Sequence, residues 1–285
     1  MADLRNKYLR HDKKFPHVWC PGCGIGVVMA SLIRAVDSLG IEKDDIVLAS
    51  GIGCSGRMPV YVDFNTLHTT HGRSLTFATG VKLANPDLKV ITVMGDGDAT
   101  AIGGNHFIHA ARRNLDMTAI IINNQIYGMT GGQFSPTTPY GAFATTASYG
   151  NVEHAFSISE LAVTAGASFV ARGTVYHVPQ LDRLIEQGIR KTGFSVIEVI
   201  SNCHVQYGRR NEMGDPVTML NWMKKSAVSV KSAAGKTEAE MAGRFSIGVL
   251  ADLDKPNYLE EYDKIRQRAA QNHIRVNEES TEGKC

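Results

Sequence analysis

The chain lacks the features that mark membrane, nucleic-acid-binding and secreted proteins. Its longest apolar runs, such as VITVM and AIII, are of strand length and far below the roughly 20 residues that span a bilayer. The formal net charge of +2 is small and evenly spread, which argues against a nucleic-acid surface. The first residues contain no apolar stretch of the signal-peptide type. We therefore expect a cytoplasmic protein that binds neither membranes nor nucleic acid.

Cysteine is also scarce, with five residues in 285. In a reducing compartment, so few cysteines indicate metal binding or catalysis rather than disulfides. Cys20 and Cys23 form a Cys-x-x-Cys pair within WCPGCG, for which a redox dithiol, a zinc site and an iron–sulfur site compete. The redox dithiol is disfavoured because such motifs follow a buried strand, whereas the residues before Cys20 are charged and interrupted by Pro16. Cys54 and Cys203 each follow a predicted strand.

Short continuous apolar runs alternate with longer helix-like stretches. This pattern is typical of strands that are covered on both faces, and it predicts an α/β fold, a three-layer sandwich with a mostly parallel sheet. Past about residue 235 the pattern thins, so we predict one domain over residues 1–235 and a C-terminal arm with a flexible tail over 236–285. The predicted strands are 45–50, 88–95, 117–124, 167–173 and 193–201, and the predicted helices are 25–38, 74–84, 103–113, 159–165 and 178–192.

Two loops at the ends of predicted strands carry oxygen ligands. MGDGDATAIGG follows a strand and opens a helix, where free backbone N–H groups and the helix dipole can bind a phosphate. Asp96 in this loop favours such an anion only if a cation lies between them, and Mg²⁺ commonly takes one or two side-chain oxygens. The next strand ends in Asn123 and Asn124. The pair of motifs favours a magnesium–phosphate site over the alternative of two ordinary turns.

The Gly-Asp-Gly and Asn-Asn motifs resemble those of the thiamine diphosphate enzymes. This resemblance implies that Asp96, the Asn124 side chain and the Ile126 carbonyl hold Mg²⁺. It also implies that Gly97, Asp98 and the turn at 127–130 contact the diphosphate. The full set of predicted cofactor-binding residues is Ile52, Gly53, Cys54, Ser55, His71, Gly95, Gly97, Asp98, Gly128, Met129 and Thr130.

Taken together, WCPGCG, GIGCS, THGRS, GDGD and NN resemble the β subunit of the 2-oxoacid:ferredoxin oxidoreductases over roughly residues 15 to 235. The resemblance implies a thiamine diphosphate-binding domain with one [4Fe–4S] cluster, and a catalytic or cofactor-contacting role for His71. From ligand type alone a zinc ion remains an alternative to the cluster. Cys285 is predicted to be an uninvolved thiol. The implied cluster ligands are Cys20, Cys23, Cys54 and Cys203.

The same resemblance implies a reaction and its partners. We expect oxidative decarboxylation of a 2-oxoacid with coenzyme A as cosubstrate, and transfer of the electrons through the cluster to ferredoxin. An α subunit should supply the pyrimidine-binding domain and the activating glutamate, in an (αβ)₂ assembly, so that the chain is inactive alone.

The substrate is predicted to be 2-oxoglutarate ahead of pyruvate. Family members that accept several 2-oxoacids tend to carry a lysine where this chain has Gly131 in MTGGQ. Arg209 and Arg210 in YGRRN are the candidate partners of the distal carboxylate, because a guanidinium suits a carboxylate. The alternatives are a pyruvate or broad-specificity subunit and a non-catalytic electron-transfer module.

Overall fold

The computed structural model describes residues 2–12 and 15–282. Eight strands form one sheet in the order β2-β1-β3-β4-β8-β7-β10-β9, and β5 and β6 form a separate hairpin. The strands are β1 Ile46–Ser50, β2 Asn65–His68, β3 Lys89–Gly95, β4 Met117–Asn123, β5 Ile126–Tyr127, β6 Gln133–Phe134, β7 Phe169–Thr174, β8 Phe194–Ile200, β9 Ala227–Ser229 and β10 Phe245–Asp252. The α-helices are α1 Ala2–Tyr8, α2 Ile25–Leu39, α3 Ser74–Ala84, α4 Gly104–Arg113, α5 Ile158–Ala165, α6 Val178–Arg190, α7 Pro216–Ser226, α8 Val230–Ala233 and α9 Tyr258–Glu282.

The sheet separates two apolar cores. In this eight-stranded sheet, neighbouring strands from β2 to β7 run parallel, and β10 pairs antiparallel with β7 and parallel with β9. Successive residues of a strand point to opposite faces, so Ile120 and Ile122 of β4 enter one core while Ala119 and Ile121 enter the other. Helices α2 and α6 cover the first core, and α3, α4 and α5 cover the second. The predicted three-layer α/β sandwich is confirmed.

All five predicted strands and all five predicted helices are present, with boundaries that differ by at most two residues. Sequence reasoning missed β2, the β5–β6 hairpin, β9 and β10, and the helices α1, α7 and α8. It also did not predict that the C-terminal region contains α9. The domain boundary at residue 235 stays a prediction, and Cys285 lies outside the described residues. Over the part of the chain that the structure describes, no helix combines the length and apolar character needed to cross a membrane.

Strand register places the chemically informative loops at one edge of the sheet. Gly95 at the end of β3 pairs with Ile122 of β4, and Asn123 at the end of β4 pairs with Ile200 at the end of β8. The residues that follow these strands therefore stand side by side. Ligands bind at this carboxyl edge in open parallel sheets.

Candidate active site

The predicted cofactor residues converge on one cavity at the carboxyl edge, which we call the diphosphate cavity. It encloses about 150 Å³. The loops after β1, β3 and β4 form its walls, together with the β5–β6 hairpin. The predicted residues that line it are Ile52, Gly53, Cys54, Ser55, His71, Gly95, Asp96, Gly97, Asp98, Asn124, Ile126, Gly128, Met129 and Thr130. The structure thus brings the whole predicted set together, while the role of each residue stays a prediction.

Asp96 is a buried carboxylate at the base of this cavity, with 2% of its surface exposed. Its Oδ2 accepts hydrogen bonds from Ser135 Oγ and from Thr137 Oγ1, the latter at 2.6 Å. Burial raises the pKa of Asp96, and the two hydroxyls oppose that rise. A neighbouring cation would favour the charged form of such a group.

Asn124 directs one terminal atom of its side-chain amide at two oxygens. That atom lies 3.3 Å from Asp96 Oδ1 and 2.8 Å from the carbonyl oxygen of Ile126. If the atom is nitrogen, it donates to both oxygens; if it is oxygen, three oxygens converge with no proton between them. The second arrangement is the one that a divalent cation stabilises, because Mg²⁺ binds oxygen ligands. The donor set therefore fits the predicted Mg²⁺ site.

Asn123, the other asparagine of the pair, points into the protein. Its Nδ2 donates to Glu198 Oε1 at 2.8 Å, and Ser159 and Arg172 donate to the other carboxylate oxygen of Glu198. Burial alone would raise the pKa of Glu198, but Arg172 and the hydrogen bonds outweigh it and lower the pKa. Sequence reasoning missed this buried network. The sequence did contain a signal for this network, because a charged residue stands within each of two otherwise largely apolar strands, Arg172 in β7 and Glu198 in β8.

Position 97 must be glycine because the ring of Tyr127 occupies the space that a side chain would need. A Cβ atom at this position would lie 2.3 Å from ring carbons of Tyr127, whose hydroxyl donates to the Gly97 carbonyl at 3.2 Å. The β5–β6 hairpin that carries Tyr127 therefore closes directly over the Gly-Asp-Gly loop. The loop continues into a π-helix at Asp98–Ile102 and then into α4, so the expected helix after the motif is present.

One carboxylate oxygen of Asp98 is committed to protein donors, whereas the other, Oδ2, is buried with no hydrogen-bond partner among the residues that the structure describes. Its Oδ1 accepts from Gly72 N at 2.7 Å, from Ile52 N at 3.3 Å and from His71 Nδ1. Burial raises the pKa of Asp98, and these donors oppose the rise. The carboxylate lies against Gly51, where a Cβ atom would come within 2.0 Å of it. Asp98 thus orients His71 and leaves His71 Nε2 for a ligand in the diphosphate cavity.

The four predicted cluster ligands line a second cavity, which we call the cysteine cavity. Cys20, Cys23, Cys54 and Cys203 are all free thiols, and Cys20 is the exposed one. The two cavities share lining residues, so they are adjacent. The shared residues are Ile25, Cys54, Asn124, Gly128 and Met129.

The ionisation of the four thiols limits the kind of metal centre that they can bind. Burial raises the pKa of Cys23 to about 12 and that of Cys54 to about 11, and the neighbouring thiols of the set add to both rises. Such thiols become thiolate ligands only with a metal. Within residues 2–12 and 15–282, no three histidine, cysteine, aspartate or glutamate side chains are close enough to chelate one ion. By ligand type, four thiolates fit either one zinc ion or one [4Fe–4S] cluster.

Two hydrogen bonds join the loops that carry the cysteines. Trp19 Nε1 donates to the Cys54 carbonyl at 2.7 Å, and Asn202 Nδ2 donates to the Gly22 carbonyl at 2.9 Å. The Cys-x-x-Cys loop is thereby tied to the loops after β1 and β8. The packing is tight, since a Cβ atom at Gly24 would lie 2.5 Å from Ser201 Oγ.

The predicted substrate arginines differ in their surroundings. Arg210 Nη1 donates to the Gln206 carbonyl at 2.9 Å and to Gln206 Oε1 at 2.8 Å. The same Nη1 would lie 3.0 Å from a Cβ atom at Gly132, next to the hairpin that lines the diphosphate cavity. Arg209 is exposed. Neither arginine lines the diphosphate cavity in this chain.

The family described as "Thiamine pyrophosphate enzyme, C-terminal TPP binding domain" matches residues 51–199. The 2-oxoglutarate synthase subunit KorB of Methanocaldococcus jannaschii is 48% identical over 92% of this chain and 97% of the relative. The subunit of the same name from Archaeoglobus fulgidus is 58% identical over 69% of this chain and 73% of the relative.

A solved structure is similar over nearly the whole chain. It is the 2-oxoglutarate:ferredoxin oxidoreductase from Magnetococcus marinus, with 2-oxoglutarate, coenzyme A and succinyl-CoA bound. The TM-score is 0.83 at 31% identity, and the match covers 95% of this chain and 94% of the other.

Proposed function

The chain belongs to the thiamine pyrophosphate enzymes and, within them, to the family of the 2-oxoglutarate synthase KorB subunits, and on that premise we propose that it is the β subunit of a 2-oxoglutarate:ferredoxin oxidoreductase. The enzyme converts 2-oxoglutarate and coenzyme A to succinyl-CoA and CO₂. The names of the relatives and the ligands of the structural neighbour support this reaction.

The observation that carries the proposal is the shared wall between the two cavities. Cys54, Asn124, Gly128 and Met129 contribute to both. When bound, thiamine diphosphate supplies the electron sink for loss of CO₂ and a [4Fe–4S] cluster accepts the electrons. A common wall keeps these two groups adjacent, which electron transfer between them requires.

The chain's own residues hold and orient these groups. Asp96, Asn124 and the Ile126 carbonyl bind Mg²⁺, and the backbone at Gly97 and at residues 128–130 contacts the diphosphate. Asp98 holds His71 through its Nδ1 atom. The Nε2 atom of His71 is then available to transfer a proton to a group in the cavity or to form a hydrogen bond with it. The four cysteines bind one cluster and exclude a second, because one [4Fe–4S] centre uses four thiolates.

The partners follow from what this chain provides. We propose that the α subunit contributes the pyrimidine-binding domain and the activating glutamate, that the assembly is (αβ)₂, and that ferredoxin takes electrons from the single cluster. Arg209 and Arg210 are the proposed partners of the distal carboxylate of 2-oxoglutarate, since an unpaired buried carboxylate is costly. The position of Arg210 beside Gly132 supports this assignment.

The test uses the purified complex with its α subunit. We expect coenzyme A-dependent ferredoxin reduction with 2-oxoglutarate, a higher kcat/KM for 2-oxoglutarate than for pyruvate or 2-oxobutyrate, and about four iron atoms per β chain. A preference for pyruvate would defeat the substrate assignment. Cofactor binding without any 2-oxoacid-dependent bleaching of the cluster would instead indicate a non-catalytic electron-transfer module.

Two variants test the arginines. Arg210→Ala should lower kcat/KM for 2-oxoglutarate by about tenfold or more, because a hydrogen bond to a charged group contributes roughly 1.5–3 kcal/mol, while pyruvate kinetics stay unchanged. Arg209→Ala should act in the same direction. Unchanged 2-oxoglutarate kinetics in both variants would remove the arginines from the pocket and leave the substrate assignment standing.

A further inference from the structure

Residues 135–138, with the sequence SPTT, carry three buried hydroxyl groups, two of which contact Asp96 of the diphosphate cavity. The segment follows β6 and forms no helix or strand of its own. Ser135, Thr137 and Thr138 are each no more than 3% exposed. Such polar groups must be hydrogen-bonded to be buried at acceptable cost, and their partners indicate what they do.

Two of the hydroxyls saturate one oxygen of Asp96. Ser135 Oγ and Thr137 Oγ1 both donate to Oδ2, and neither contacts Oδ1. The carboxylate therefore cannot rotate without breaking both bonds. Oδ1 is left facing the amide of Asn124, which is where the proposed cation would bind.

The third hydroxyl holds the turn that presents the other proposed ligands. Thr138 Oγ1 donates to the Gln125 carbonyl at 2.6 Å and accepts from Ser135 N at 2.8 Å. Gln125 has a φ of 63°, a left-handed conformation that is unfavourable for a residue other than glycine. This turn lies between Asn124 and Ile126, so the Thr138 hydrogen bond stabilises the conformation that brings their oxygens together.

The segment is itself fixed from behind. Asn151 is buried, and its Nδ2 donates to the carbonyls of Thr138 at 2.8 Å and of Glu153 at 3.1 Å. The segment that carries the three hydroxyls is thus itself anchored at Thr138 by a buried side chain.

We propose that Ser135, Thr137 and Thr138 are positioning residues for the Mg²⁺ site. They fix Asp96 and the turn at Gln125 so that Asp96 Oδ1, the Asn124 side chain and the Ile126 carbonyl converge before the metal arrives. The inference rests on the proposed function, because it requires a divalent cation at this site. Outer groups that orient metal ligands commonly set metal affinity by about 10- to 100-fold.

The experiment measures metal binding without turnover, in the complex with the α subunit. Free Mn²⁺ is followed by its paramagnetic resonance signal during titration with and without thiamine diphosphate. Thr137→Val removes the hydroxyl at constant shape, and Thr137→Ser keeps it. Thr118→Val is the matched control, because Thr118 is a buried threonine of β4 whose hydroxyl donates to the Gly188 carbonyl at 3.0 Å, away from the carboxyl edge.

Thr137→Val should raise the Kd for Mn²⁺ by about 10- to 100-fold, while Thr137→Ser and Thr118→Val stay close to the parent protein. Iron content should be the same in all variants, which a general loss of structure would not allow. If Thr137→Val does not assemble with the α subunit, Ser135→Ala replaces it. The same increase in the Kd for Mn²⁺ with unchanged iron content is then expected.

Parent-like Mn²⁺ affinity in Thr137→Val, or equal weakening in Thr137→Ser or Thr118→Val, would overturn the positioning role. A parent protein that binds no Mn²⁺ in the presence of thiamine diphosphate would overturn the proposed cofactor site instead. The two failures are therefore distinguishable.

Discussion

The diphosphate cavity and the cysteine cavity share a wall but are built in different ways. Two of the proposed metal ligands of the first directly follow the adjacent strands β3 and β4, the third begins β5, and buried hydroxyls support them. The four thiols of the second come from three loops that are distant in sequence, joined by the hydrogen bonds of Trp19 and Asn202. One site is therefore locally preorganised, whereas the other depends on the correct docking of separate loops.

The largest effect is expected for a change at Cys54, which lines both cavities. Cys54→Ala should reduce iron from about four atoms per chain to near zero and abolish ferredoxin reduction, because a [4Fe–4S] cluster needs its full thiolate set. Thiamine diphosphate binding should persist. Cys285→Ala is the control and should keep its iron, since that thiol is predicted to be uninvolved. Iron retention in Cys54→Ala would contradict the ligand assignment.

The converse variant changes only the proposed Mg²⁺ site of the diphosphate cavity. Asp96→Asn removes the charge that binds Mg²⁺ and should weaken Mg²⁺-dependent thiamine diphosphate binding by about 100-fold or more, while iron content stays unchanged. Asp87→Asn serves as the control, because Asp87 is an exposed carboxylate that precedes β3 at the opposite edge of the sheet. Calorimetric titration gives the affinities. Simultaneous loss of iron would show that the two sites are not independent.

A pair of glycines compares a crowded position in the diphosphate cavity with an open position outside both cavities. Gly97→Ala places a Cβ atom 2.3 Å from the Tyr127 ring, so the β5–β6 hairpin must shift, and we expect about tenfold weaker thiamine diphosphate binding. Gly80→Ala is the control, because a Cβ atom at this exposed position of α3 would meet no other atom within 4 Å, and it should have a small effect. Equal effects in the two variants would show that the Tyr127 contact is unimportant.

The smallest expected effect concerns the links between the cysteine loops. Trp19→Phe removes one hydrogen bond, to the Cys54 carbonyl, and should cost about 1 kcal/mol of stability. Iron content at isolation should be normal, but cluster loss in the presence of a chelator should be a few-fold faster. Trp222→Phe is the control, because Trp222 packs on Phe245 away from the cysteine cavity. Identical loss rates would remove Trp19 from the support of the cluster site.

Much of the architecture could be predicted from local sequence. The central strands are continuously apolar because helices cover both faces, so their pattern is readable without a structure. Strands β2, β9 and β10 were missed because they lie at or near the sheet edges, and β2 is only partly buried. Their pairing depends on neighbours that are distant in sequence, which a local pattern does not reveal.

The amino-acid sequence by itself determined the parallel α/β fold, the Gly-Asp-Gly and Asn-Asn loops at strand ends and the set of four cysteines, because these depend on residue type and short-range order. Only the tertiary structure decided that Asn123 turns inward to Glu198 while Asn124 faces Asp96. It also decided that Asp98 serves His71 and that the SPTT hydroxyls hold Asp96 and Gln125. The physical reason is that side-chain partners are set by strand register and loop docking, which bring together residues that no local pattern connects.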